Sequence, residues 1–287
     1  VAGAGNRLGE PLFENAGADN FRLQTGSPAV DSGSPGSAPD ADGSRADMGA
    51  VAFDWREGHA VITEIHYHPA DTNLAEYIEL HNPGGATLDL AGWRFGQGLT
   101  FEFPAGARLP AQGYLLLGAH TNGLGGVSNR FVWTLGVLDN SGETLELLDA
   151  ASNTMDRVAY LNYTPWPSEP DGLGPSLSLI DPRWNNALPE SWYASRAAGG
   201  TPGGAFDHHF PGPVAAGRSP DTPGGIRFQF EGLAGLWYVL ESTADLAHPD
   251  WQPAGPSATA LNGQVLLDLI PPAGSTQLFF RVRAVAP

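Results

Sequence analysis

The chain has 287 residues, of which 38 are glycine, 25 are proline and only 16% are charged. This is the composition of short strands joined by many turns, and the length favours two or three small cores over one large one. The formal charge of −17 comes from 31 acidic residues against 14 basic ones, all of them arginine, a field that excludes nucleic acid as a partner. With neither lysine nor cysteine present, Schiff-base chemistry, thiol nucleophiles, thiolate metal sites, disulfides and lysine isopeptide crosslinks are excluded as well.

The first segment, residues 1–57, is rich in Gly, Ala, Ser, Asp and Pro, with short apolar islands at Phe21-Arg22-Leu23 and Met48-Gly49-Ala50-Val51. These islands are too sparse for a core of their own, so the segment is expected to pack on its neighbour or on another chain. The run Asn20-Phe21-Arg22-Leu23, Ser27-Pro28-Ala29-Val30-Asp31-Ser32-Gly33 and Asp47-Met48-Gly49-Ala50 resembles the last coil and exit segment of secreted right-handed parallel β-helix proteins. That resemblance implies upstream coils as a stacking partner, because a solenoid repeat buries its apolar face only against its neighbours. The start of the chain lacks the charged and apolar parts of a signal sequence, and the natural protein is expected to be longer. Asp40, Asp42 and Asp47 alternate around Gly43, as oxygen ligands do in a calcium loop. No glutamate closes that loop at the EF-hand spacing, and Asp and Gly also make ordinary turns. No cofactor is expected on this reading, calcium being the one ion the pattern admits.

Residues 58–204 carry alternating short strands: Val61 to Tyr67 ending at Pro69, Ala75 to Leu80, Phe101-Glu102-Phe103, Tyr114 to Leu117 and Glu143 to Leu148. Such a series with frequent turn signals predicts an all-β sandwich. The ordered motifs Ile62-Thr63-Glu64-Ile65, Tyr77-Ile78-Glu79-Leu80, Leu90-Ala91-Gly92-Trp93, Asp171-Gly172-Leu173-Gly174-Pro175-Ser176-Leu177 and Gly200-Thr201-Pro202-Gly203 resemble those of the bacterial lamin-tail domain family. The resemblance implies an immunoglobulin-like fold, a role in scaffolding or surface attachment, and no catalytic residue to carry over.

Within these motifs His66, His68 and Glu64 alternate on one strand, and Glu79 and His81 on the next. Each set shares a face, so His66, His68, Glu79 and His81 are candidate metal ligands. The plainer reading is a polar, exposed sheet face. Tyr163, Trp166, Trp184, Trp192 and Tyr193 cluster in the least regular part of the domain. They are candidates for stacking on a sugar, against the commoner role of packing in a core. No Gly-x-Ser-x-Gly elbow, Walker loop or dinucleotide fingerprint occurs.

Residues 205–225, bounded by two Thr-Pro-Gly-Gly motifs, have the composition of a Pro/Gly linker. Residues 226–287 alternate again through Phe228 to Phe230, Trp237 to Leu240 and Phe279 to Val282. They resemble a small C-terminal β domain of large secreted proteins from Verrucomicrobia-like bacteria. The expectation is therefore a non-enzymatic, secreted or cell-surface module for structure, adhesion or display. Its expected partners are upstream β-helix coils, another chain, or a cell-wall or extracellular glycan, without membrane insertion. The alternative is a carbohydrate-binding accessory to an upstream polysaccharide-processing enzyme.

Overall fold

The structure, a computed structural model, describes residues 9–285 apart from 19, 35–36, 39, 42–43, 50, 55–57, 125–126, 134, 205–213, 233–236, 247–250, 256, 260–263 and 273–276. The chain forms two compact units, residues 1–208 and 209–287. In the first unit, β1 (Phe13–Asn15) and β2 (Asn20–Leu23) make an antiparallel hairpin. There follow β3 (Val61–His66), β4 (Tyr77–His81), β5 (Leu88–Asp89), β6 (Arg94–Gln97), β7 (Arg108–Leu109), β8 (Tyr114–Gly118), β9 (Arg130–Val132), β10 (Gly142–Leu148), β11 (Thr154–Leu161), β12 (Leu177–Leu179) and β13 (Trp192–Ala194).

Six of these strands form a sheet in the order β13-β12-β3-β4-β8-β9, and three form a second in the order β11-β10-β6. The two sheets share one core, with Ile62, Ile65, Ile78, Leu80, Leu115 and Leu117 from the first and Leu145, Leu147 and Val158 from the second. The unit is an immunoglobulin-like β-sandwich, and helix among the described residues is confined to the 3-10 turns Ala16–Ala18 and Pro189–Ser191. On β10 and β11 the inward side chains alternate with more exposed ones, as in a sheet with one wet face. β3 and β4 differ, since every residue on both is buried. A second layer of chain covers their polar face.

The described part of residues 9–54 belongs to this unit. Leu23, Val30 and Phe53 sit in the same core as the sandwich, which supplies the apolar cover that the segment cannot provide itself. Polar bonds fix it in register: Asn185 Nδ2 donates to the carbonyls of Ser27 (2.8 Å) and Val30 (3.1 Å). The Thr25 hydroxyl donates to Asp156 Oδ1 at 3.3 Å.

The second unit contains β14 (Ala215–Arg218), β15 (Ile226–Glu231), β16 (Trp237–Thr243), β17 (Gln252–Pro253), β18 (Ala258–Thr259), β19 (Gln264–Leu269) and β20 (Phe279–Val285). One sheet runs β14-β15-β19, and in the other β16 pairs with β17, β18 and β20. Its buried apolar residues include Phe228, Phe230, Tyr238, Leu240, Val265 and Leu267, and Arg227 bridges to Asp268 across β15 and β19. Within the stretch expected as a linker, 205–213 lie outside the described residues, and β14 is an ordered strand. All four of its residues are exposed. Backbone pairing with β15, from Ala215↔Gln229 to Arg218↔Ile226, holds it instead, which a small-residue composition does not reveal.

Candidate functional site

The register of β3 against β4 decides what the polar face contains. Ile62 pairs with Leu80, a bulge follows, and Glu64 then pairs with Glu79 and His66 with Tyr77. The extra residue, Thr63, lets Ile62 point into the core and Glu64 away from it, breaking the strict alternation of an unbulged strand. β12 adds Ser178 beside Glu64, and β8 adds Leu116 beside Glu79. Two glutamates thus face each other across adjacent strands, flanked by Tyr77, Ser176 and Ser178.

Residues 199–204 close over them. The amide of Thr201 donates to Glu64 Oε1 at 2.9 Å and that of Gly203 to Glu79 Oε2 at 2.7 Å. The Tyr77 hydroxyl donates to the Gly199 carbonyl at 3.0 Å. From below, the Ser176 and Ser178 hydroxyls donate to Glu64 Oε1, and the Thr63 hydroxyl donates to Glu79 Oε1 at 2.8 Å. Gly200 has φ +74°, and a Cβ there would collide with Glu64 Oε1, the Tyr77 hydroxyl and Ser176 Oγ. Only glycine fits this position on both counts. Glu64 Oε2 is buried and has no hydrogen-bond partner.

Burial and then the facing charge of Glu64 push the Glu79 carboxyl up to about 8, against the lowering effect of the Gly203 amide and the Thr63 hydroxyl. Burial likewise raises Glu64, although Ser176, Thr201, Tyr77 and Ser178 all hydrogen-bond in its region and lower it. Two like charges in a dry site disfavour joint ionisation.

The four candidate metal ligands do not assemble. The antiparallel register places His66 opposite Tyr77 and His81 opposite Val61, so the two imidazoles attach about four residues apart along the strands, roughly 13 Å. His66 packs against Tyr77, and its Nε2 is buried without a partner. His81 stacks on Tyr114 and shares a hydrogen bond with the Gly113 carbonyl at 3.1 Å. Burial lowers it to about 4, so it is neutral. His68 lies beyond the end of β3 and pairs with Asp171 at 2.6 Å. Among the described residues no group of three or more His, Asp or Glu is arranged to hold a metal ion. The exposed face expected as the plainer reading is also absent here, because residues 199–204 cover it.

In the calcium candidate, Asp42 lies outside the described residues. Asp40 Oδ2 accepts the Asp47 amide at 2.9 Å, and Asp47 Oδ1 accepts the Asp31 amide at 2.7 Å, so both carboxylates bind turns of their own chain. The aromatic candidates also separate. Trp166, Trp184, Trp192 and Tyr193 are buried, whereas Tyr163 is 59% exposed. Trp192 donates its indole N–H to the Asn186 carbonyl at 2.7 Å and lies 6.1 Å from Trp166. A flat platform needs rings on the surface, and packing has taken four of the five inward.

A third buried carboxylate carries no sequence signal of its own. Asp156 on β11 accepts from the amides of Ile62 (2.5 Å) and Arg157 (2.7 Å), from Asn186 Nδ2 (2.7 Å) and from Thr25. It joins both sheets, the loop before β13 and the N-terminal segment at one point. Its sequence neighbourhood, Thr154-Met155-Asp156-Arg157-Val158, reads as an ordinary amphipathic strand. Only the long-range contacts identify it.

No curated protein matches the chain. Residues 56–162 match the family model of the Lamin Tail Domain, so the likeness expected from the strand motifs holds for β3 to β11 of this immunoglobulin-like sandwich, with β12 and β13 completing its larger sheet beyond the matched residues.

Proposed function

We propose that the chain is a non-catalytic extracellular module, secreted or on a bacterial cell surface, that positions, displays or attaches a larger protein. The observation that carries this reading is the pair of buried carboxylate junctions. Asp156 fastens the N-terminal segment, and Glu64 with Glu79 fastens residues 199–204. A sandwich so tied to the chain before and after it suits a rigid connector, and the Lamin Tail Domain match points the same way. On this reading residues 1–57 continue from upstream β-helix coils, and residues 226–287 are a small β domain of the kind found in Verrucomicrobia-like secreted proteins. A glycan-binding accessory role draws less support, since four of the five candidate rings are inside.

The test is to assay the purified chain on polysaccharides, esters and peptides, with and without calcium or zinc, beside pull-down on cell walls and a glycan array. Retention on a surface without turnover is expected. Turnover abolished by replacing His66, Glu79 or His81 would overturn the reading in favour of a metalloenzyme.

A further inference from the structure

The polar face of β3 and β4 presents an unusual balance of groups to the segment lying on it. Residues 199–204 contact it through backbone amides and a backbone carbonyl, and the hydroxyls of Ser178 on β12 and of Ser176 just before it complete the surround. Besides Tyr193 on β13, which lies opposite Ser178, the titratable groups on the same face are His66 on β3, Tyr77 and His81 on β4, and Tyr114, which pairs with His81 from β8. Burial favours the neutral form of each: it lowers both histidines and raises both phenols. On β9, Arg130 pairs with Leu116, is exposed, and donates to the Val127 carbonyl at 2.8 Å. Two acids are therefore surrounded by hydroxyls, amides and neutral rings. Three of their four oxygens accept hydrogen bonds, while Glu64 Oε2, buried, accepts none.

We propose that Glu64 and Glu79 share one proton and that this proton keeps residues 199–204 fastened to the sheet, so that its loss releases the segment. A bare, buried oxygen is costly on a carboxylate and much less so on a carboxyl group. Proton sharing also removes the repulsion between two acids that face each other in register, and the proton belongs to the pair as a unit. Because Glu79 is pushed up to about 8, the folded pair retains a proton that the unfolded chain gives up near the ordinary carboxylate value. The stability from that proton is full in acid and is lost as pH rises through about 8.

Hydrogen exchange on the whole chain tests it, with protection of residues 199–204 normalised to intrinsic exchange from pH ~6 to pH ~9.5. The expected result is a loss of protection of up to about tenfold per pH unit as pH rises from ~6, levelling off near pH 8, while β10 and β11 stay protected. Glu79→Gln and Glu64→Gln should each move that loss to lower pH, because burial still raises the remaining carboxyl group but no like charge faces it. Protection that stays flat in the wild type, or that falls over an unchanged pH range in a folded Gln variant, overturns the proposal. So does restoration of wild-type protection above pH ~8 by added calcium or sodium, which would make a cation and not a proton the bridge. If both variants fail to fold, as β10 and β11 would report, the wild-type profile with and without these ions still decides.

Discussion

At Gly200 the backbone conformation and the space around Cα select the same residue. Gly200→Ala would meet a left-handed backbone and three polar atoms of the buried site at once, so we expect a loss of about 2–4 kcal/mol, read as a lower urea midpoint. An unchanged midpoint would show that residues 199–204 can lift without cost. The sequence displays this glycine inside Gly200-Thr201-Pro202-Gly203, a lamin-tail-like motif at the edge of the expected linker, which does not reveal what it packs against. Glu64, Glu79 and His81 were legible as an alternating polar set, and their two-strand adjacency was legible too. Their burial was not, because the cover arrives more than a hundred residues later in sequence. Asp156 was invisible for the same reason: its partners Thr25, Ile62 and Asn186 come from three distant segments.

Among the elements, the strands of the sandwich were the most legible part, since alternation and turn residues act locally. β10 and β11 follow the pattern closely, with Leu145, Leu147, Val158 and Tyr160 inward. The bulge at Thr63 was not legible, because a bulge appears only when two strands are aligned. Nor did ring position follow from composition in the stretch from Tyr163 to Tyr193. Trp192 opens β13, buried beside Trp166 and bonded to Asn186. We expect Trp192→Ala to cost about 3–5 kcal/mol in a denaturant titration and to leave any glycan retention of the folded protein unchanged. Selective loss of retention with stability intact would return this ring to a binding surface.

Across the whole molecule, each of the two units has its own buried apolar set, with Ile62, Ile78, Leu117 and Leu147 in one and Phe228, Tyr238, Val265 and Leu267 in the other. Scanning calorimetry should therefore resolve two transitions. A chain ending at residue 208 should keep the transition of the first unit and lose the other. A single transition that vanishes on truncation would mean that the units fold only together. The division was partly legible as a change to Pro- and Gly-rich sequence. The boundary on its C-terminal side was not, because β14 is built from Ala215, Ala216, Gly217 and Arg218 and is held through its backbone.

The two carboxylate junctions converge on one short piece of chain. Asp156 and Asn186 grip the amide and carbonyl of Ile62, and the bonds from Thr201 and Ser176 end on Glu64, two residues further along β3. A pull applied between the N-terminal segment and residues 199–204 would pass from one junction to the other through this central stretch of β3. Most of the sandwich would remain outside the line of tension. Mechanical resistance would then be set by a few buried hydrogen bonds, while the greater part of the apolar core carried no load.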